Sequence, residues 1–128
     1  MATTTHPLGR AEPLLLIAVG GFVGAISRHV LAVGLPGGFP WGTLVANVLG
    51  SFALGVLLYE ARLTGVLSPE TRLVLGTGFL SSFTTYSTFA VETAGLSPAG
   101  AVLNVAANYG LGLLAVVAGR YVAGVMAR

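Results

Sequence analysis

The chain has 128 residues, of which 55% are hydrophobic and only 8% charged, with a mean hydropathy of +0.89. A soluble domain carries about 25% charged residues, so this composition excludes one and specifies a polytopic membrane protein with room for about four spans of roughly 20 residues each. A net charge of +2 is too small and dispersed to engage nucleic acid. With no Cys, Asp or Lys and only His6 and His29, the chain can build neither a Ser-His-Asp triad nor a cysteine- or histidine-rich metal site.

Residues 1–12 are polar, carry His6, Arg10 and Glu12, and are expected to form a flexible N-terminus. Arg10 followed by LLLIAV has the order of a signal peptide, but the apolar run passes a signal's length without a clean cleavage site. It is read as the first span, about 13–33. Gly20 and Gly24 there form a small-xxx-small pair that lets another helix backbone approach. Arg28 sits late in this span, where a guanidinium costs roughly 2.5–3.5 kcal/mol at mid-bilayer and less near the interface. It reads first as an interfacial anchor, with a cationic vestibule attracting anions as the sharper alternative.

Residues 34–41, GLPGGFPW, make a turn with an interfacial aromatic, Trp41. The second span is about 42–63. Thr43, Asn47, Ser51 and Gly55 recur every four residues and share a face, with Gly42, Ala46 and Gly50 on the adjacent stripe. Such a face packs against protein, and Asn47 on it is either interhelical glue or a pore-lining donor. Residues 60–72 form the most charged loop, with Glu60, Arg62, Glu70 and Arg72. In it Ser68-Pro69-Glu70 reads as an N-cap, a Pro at the first helical position and an acid in the first turn.

The third span, about 73–94, contains GFLSSFTTYSTF at 78–89. Six Ser or Thr hydroxyls and the Tyr86 hydroxyl crowd between Ser81 and Thr88. Hydrocarbon cannot hydrogen-bond them, so they face protein, water or a polar solute, and the helix is expected to break in mid-membrane. Glu92 lies near the far end of this span as an interfacial carboxylate or, alternatively, a gate. Ser97-Pro98 starts the fourth span, about 98–126, on which Asn104, Asn108 and Gly112 make a second polar stripe. Arg120, Tyr121 and Arg128 finish the chain at an interface. Residues 13–128 thus read as a single four-helix transmembrane domain.

Three strings resemble the Fluc/CrcB fluoride channels. The third-span string is similar to that family's G-G-x-T-T-F-S-T-F run, Gly42 to Phe52 resembles its G-T-x-x-x-N-x-x-G-S-F element, and Gly20 to Arg28 resembles its G-G-x-x-G-A-x-x-R. The likeness extends over about 20–119. It implies an all-α membrane protein whose broken third helix lies in an antiparallel, dual-topology dimer with two fluoride pores, in a prokaryotic inner membrane. It also implies a central sodium ion held by the backbone carbonyls of Ser81 and Thr84 from each subunit. By position, the fluoride pathway becomes Asn47, Tyr86, Ser87, Thr88, Phe89, Asn104 and Asn108, with Arg28 and Glu92 as candidate gate or vestibule residues. Fluoride export down its gradient, giving fluoride resistance, is the implied function, and no enzyme activity is expected.

Two departures from the family pattern bear on the site. Ser81-Ser82 stands in place of Gly-Gly, which threatens the sodium site if the break needs positive φ. Tyr86 replaces a Phe, keeping the ring edge and adding a hydroxyl. The arginines at 10, 62, 72, 120 and 128 fall on one side and Arg28 near the other, so the chain pairs either with itself or with an oppositely oriented paralogue. Two rival readings are a small antiparallel four-helix cation or drug transporter, which needs an acid inside the membrane, and a non-conducting assembly subunit.

Overall fold

In a computed structural model, residues 7–128 are described, and they fold as helices joined by short turns. Helix α1 is Pro7–Gly34 and α2 is Trp41–Tyr59, the latter extended by a wide π-helical turn at Glu60–Thr64. Helix α3 opens with the turn Pro69–Arg72, widens to π-helical geometry over Leu73–Leu80 and closes with Ser81–Phe83. After a break come α4, Ser87–Ala94, and α5, Pro98–Met126. Three segments are each long and apolar enough to cross a membrane, namely Gly9–Gly34, Trp41–Thr64 and Pro98–Met126. The protein is therefore a multi-pass α-helical membrane protein.

Local chemistry sets the helix ends. Ser68 and Ser97 each accept an amide of their own first turn, from Thr71 at 3.1 Å and Gly100 at 3.2 Å, and each precedes a Pro at the first helical position. The turn after α2 stops at Gly65, whose φ of 60° is one that glycine adopts readily and whose amide closes onto the Glu60 carbonyl. Helix α1 begins at Pro7 rather than near residue 13 and runs through Pro13, whose ring removes one helical hydrogen bond, to the Gly9 carbonyl. Residues 1–6 of the expected flexible N-terminus lie outside the described residues.

Two parallel seams organise the molecule. Along the first, Gly20 lies against the backbone of Val74, Gly24 against that of Phe79, and Arg28 against Ser82, so α1 and α3 run in the same direction. A side chain at Gly20 or Gly24 would collide with those carbonyls, which is the close approach the small-xxx-small pair predicts. Along the second seam, Asn47 meets Asn108, Ser51 meets Gly112 and Gly55 meets Val116, so α2 and α5 are parallel in four-residue steps, with Tyr59 lying over Gly124 further on. Gly42 against Ala32 closes the antiparallel α1–α2 hairpin. The stripe of small residues on α2 is buried as the periodicity requires, with Gly42, Thr43, Ala46, Gly50 and Gly55 inside.

The α2–α3 turn is fastened by one carboxylate. Glu60 takes two hydrogen bonds from Arg72, both 3.0 Å, and one from the Leu67 amide at 2.6 Å. This clasp closes the turn that returns α3 alongside α1.

Candidate functional site at the break between α3 and α4

The hydroxyl-rich string forms the expected break. Thr84 is extended, with φ −80° and ψ 155°, and the chain re-enters helix after Tyr86 at φ −94° and ψ −40°. Among the described residues no non-glycine has positive φ. The break is thus made by an extended, β-branched Thr84, a conformation that residue favours, and Ser81-Ser82 needs none of glycine's freedom.

Asn47 holds the break open. Its Nδ2 donates to the Thr85 carbonyl at 3.1 Å, and its Oδ1 accepts the Thr85 amide at 2.9 Å. In an unbroken helix that amide would bond the Ser81 carbonyl. Likewise the Thr88 amide, which would reach the Thr84 carbonyl, donates to Thr85 Oγ1 at 3.2 Å. Arg28 Nε donates to the Ser82 carbonyl at 3.1 Å. The carbonyls of 82 and 85 are therefore satisfied by side chains, while those of 81 and 84 have lost their helical donors. Such unpaired backbone oxygens are the ligand type that hard cations take. Among the described residues no group of three or more His, Asp or Glu side chains offers an alternative metal site.

A directed chain of amides runs behind the break. Asn47 Nδ2 donates to Asn108 Oδ1 at 3.1 Å, and Asn108 Nδ2 donates to Asn104 at its carbonyl (2.9 Å) and its Oδ1 (3.0 Å). Asn104, fully buried, donates to Thr93 Oγ1 at 2.9 Å, and Thr93 donates to the Phe89 carbonyl at 2.6 Å. Both donor hydrogens of Asn47 are thus engaged within the protein, where they act as glue. The hydroxyls of Ser81 and Thr84 also turn inward, donating to carbonyls of α3. By contrast, the hydroxyls of Tyr86 and Thr88 make no hydrogen bond among the described residues, and Ser87 Oγ has only a long contact of 3.4 Å to Thr85 Oγ1.

In front of the break lies an open cleft of about 660 Å³ between α2, α3 and α5. Asn47, Ser81, Thr84, Tyr86, Phe89 and Asn108 line it together. Ser87, Thr88, Asn104, Arg28 and Glu92 are not part of its wall. Arg28 ties α1 to the break, because the α1–α3 seam delivers it to Ser82. Glu92 is largely enclosed, and its Oε2 is buried with no hydrogen-bond partner. Sequence reasoning missed Tyr109, which lines the cleft and presents its ring to Phe89 at a centroid distance of 6.2 Å and an angle of 77°. A tyrosine in the middle of an apolar span, next to Asn108, was the available signal. Tyr86 packs on the other side of Phe89 at 5.8 Å, yet is 72% exposed.

Comparison with known proteins agrees with this architecture. The family model "CrcB-like protein, Camphor Resistance (CrcB)" matches residues 15–120. A Natronomonas pharaonis protein named "Fluoride-specific ion channel FluC 1" is 58% identical over 113 residues, covering 88% of this chain and 95% of its own length. A Haloarcula marismortui protein of the same name is 52% identical, covering 92% and 91%. Geobacter sulfurreducens has a "Fluoride-specific ion channel FluC" that is 46% identical, covering 83% and 92%. With the break, its Asn47 clasp and the seam glycines from Gly20 to Gly119 falling inside the matched region, the chain belongs to the CrcB-like family.

Proposed function

We propose that this protein is a fluoride-selective channel, not an enzyme, that releases cytoplasmic fluoride down its electrochemical gradient and so gives fluoride resistance. The observation that carries this reading is the break in a cleft lined by uncharged donors and ring edges, in a chain up to 58% identical to proteins named for fluoride conduction. Fluoride is small and strongly hydrated, so a pathway must replace its water with donors. The free hydroxyl of Tyr86 and the positive edges of Phe89 and Tyr109 supply them in the cleft, and the hydroxyls of Ser87 and Thr88, which lie off its wall at the start of α4, continue the path beyond it. None carries a full charge that would trap the ion, and conduction needs release as much as entry. Asn47, Asn104 and Asn108 act in this reading by holding the wall in shape.

The seams support a four-crossing path. Parallel α1 and α3, parallel α2 and α5, and the α1–α2 hairpin make successive segments alternate in direction, with α3 and α4 as one broken crossing. The outward Tyr86 and the open cleft give a second subunit, inverted in the membrane, a surface to complete, whether a copy of this chain or a paralogue. The freed carbonyls of Ser81 and Thr84 from both subunits would hold a structural sodium ion, which supplies positive charge between the two pathways. A prokaryotic inner membrane is the expected setting.

The test is fluoride efflux from liposomes of the reconstituted chain, with chloride as competitor. Passive, fluoride-selective flux is expected; equal passage of chloride, or none of either, overturns the reading. The buried Glu92 Oε2 is the one feature favouring a proton-coupled transporter, and uptake of cations driven by a proton gradient in the same vesicles would support that instead. For sodium, protein purified in N-methylglucamine salts should gain thermal stability on addition of sodium, and no gain removes the ion from the proposal.

A further inference from the structure

A second cleft, of about 360 Å³, opens between the C-terminal part of α2 with its π-helical extension and the C-terminal part of α5. Its lining includes Leu58, Tyr59, Arg62, Leu63, Val116 and Arg120. We infer that this cleft binds the phosphate of an anionic membrane phospholipid between Arg62 and Arg120, with the start of its acyl chains against the leucines and valine. The inference goes beyond the fluoride reading and does not depend on it.

The backbone geometry brings the two arginines together. Gly55 against Val116, and Gly119 against the Phe52 carbonyl, leave no room for a side chain, so α2 and α5 touch just inside the cleft. Beyond that contact Arg62, two turns on from Gly55, and Arg120, one turn on from Val116, come to a common mouth, while Tyr59 lies over Gly124 and forms one wall.

Both arginines are exposed, and neither is bridged to a carboxylate; the one salt bridge among the described residues is Arg72 to Glu60. Arg62 lies two residues before the end of the apolar segment Trp41–Thr64 and Arg120 six residues before the end of Pro98–Met126, close enough for both long side chains to snorkel towards lipid headgroups. Guanidinium forks match phosphate oxygens in pairs. A free inorganic anion would use the arginines alone, whereas the apolar walls formed by Leu58, Leu63 and Val116 are complementary only to a ligand that also carries hydrocarbon.

The experiment measures thermal unfolding of the full chain in mixed micelles with phosphatidylglycerol, phosphatidylcholine or inorganic phosphate, and counts bound lipid by native mass spectrometry. Phosphatidylglycerol is expected to raise the unfolding temperature at mole fractions where phosphatidylcholine does not. Arg62→Gln and Arg120→Gln should each weaken the response about fivefold, from about 1 kcal/mol per basic residue near the surface. The double variant should lose the response, and the paired Arg→Lys variant, which keeps the charge but not the fork, should keep only part of it. A double variant that responds like the parent overturns the site, as does inorganic phosphate matching the lipid at equal concentration. Should the double variant not fold, the lipid counts on each single variant decide, and unchanged counts overturn the inference.

Discussion

Asn47 and Thr85 face each other as a closed two-bond pair, the side-chain amide of one matching the peptide of the other at 3.1 and 2.9 Å. The asparagine imitates a neighbouring backbone, so the chain can leave the helix at Thr85 without orphaning a peptide group. This is how an interruption is tolerated at membrane depth. The same pair diverts the amide that would otherwise cover the Ser81 carbonyl.

Asn47→Leu should therefore do two things. It strands the amide and carbonyl of Thr85, each worth about 1–3 kcal/mol if left unpaired, and it frees the amide to return to Ser81. Fluoride efflux from liposomes is expected to fall to background while thermal unfolding moves down. Asn47→Asp should be as damaging, since it keeps the acceptor but sets a carboxylate oxygen against the Thr85 carbonyl. Wild-type efflux in either variant would show that the pair does not maintain the pathway.

The period of small and polar residues made much of this readable in the sequence. Asn47, Ser51 and Gly55, spaced by four, are the α2 half of the seam, and Asn108 and Gly112 belong to the α5 half. The break was legible because six hydroxyls and a tyrosine cannot face lipid. Which hydroxyls serve the cleft was not legible. Ser81 and Thr84 bond back to their own helix, a choice made by backbone geometry that composition does not encode. For Arg28, the depth along α1 was visible in the sequence but its partner, a carbonyl 54 residues away, was not.

The glycine seams predict a contrast between chemically identical substitutions. Gly24→Ala forces a methyl into the Phe79 carbonyl, with backbone on both sides and no side chain to yield. Gly110→Ala meets nothing within 4 Å on the outer face of α5. The first should lower the yield of folded protein in detergent sharply. The second should be neutral or stabilising by up to about 1 kcal/mol, as alanine replaces glycine within a helix. Size-exclusion profiles and melting curves check both.

Arg28→Met removes the donor to Ser82 while keeping an apolar stem of similar length. The bare carbonyl should cost about 1–3 kcal/mol and loosen the break, so both melting temperature and efflux should drop. Arg28→Lys retains a donor on a flexible stem and should recover part of each. If Arg28 were only an interfacial anchor, Arg28→Lys would match the parent in both measurements, and Arg28→Met would leave efflux per folded channel unchanged.

Glu60 and Arg72 form the fastening of the α2–α3 turn, partly open to solvent, with side chains 12% and 35% exposed. A double-mutant cycle using Glu60→Gln and Arg72→Gln should return a small favourable coupling that shrinks as salt is added, and efflux should stay near the parent's. A coupling near zero would leave the Leu67 amide as the only bond that matters at Glu60.

Tyr109 offers the sharpest test of ring edges as an ion lining. It meets Phe89 edge-on at 77° and lines the cleft, yet it is 56% exposed in the single chain, so little of the chain's own stability rests on it. Tyr109→Phe keeps the ring and deletes the hydroxyl; Tyr109→Leu keeps apolar bulk and deletes the ring. An aromatic pair of this geometry is worth about 0.5–1.5 kcal/mol, which corresponds to at most about a tenfold change in rate if it supports the conducting arrangement. Tyr109→Leu should approach that tenfold loss of fluoride efflux, with the melting temperature nearly unchanged. Tyr109→Phe should stay close to the parent if the edge is what counts, and fall with Tyr109→Leu if the hydroxyl is. Equal efflux in all three proteins would remove Tyr109 from the pathway and leave Phe89 and Tyr86 as its aromatic residues.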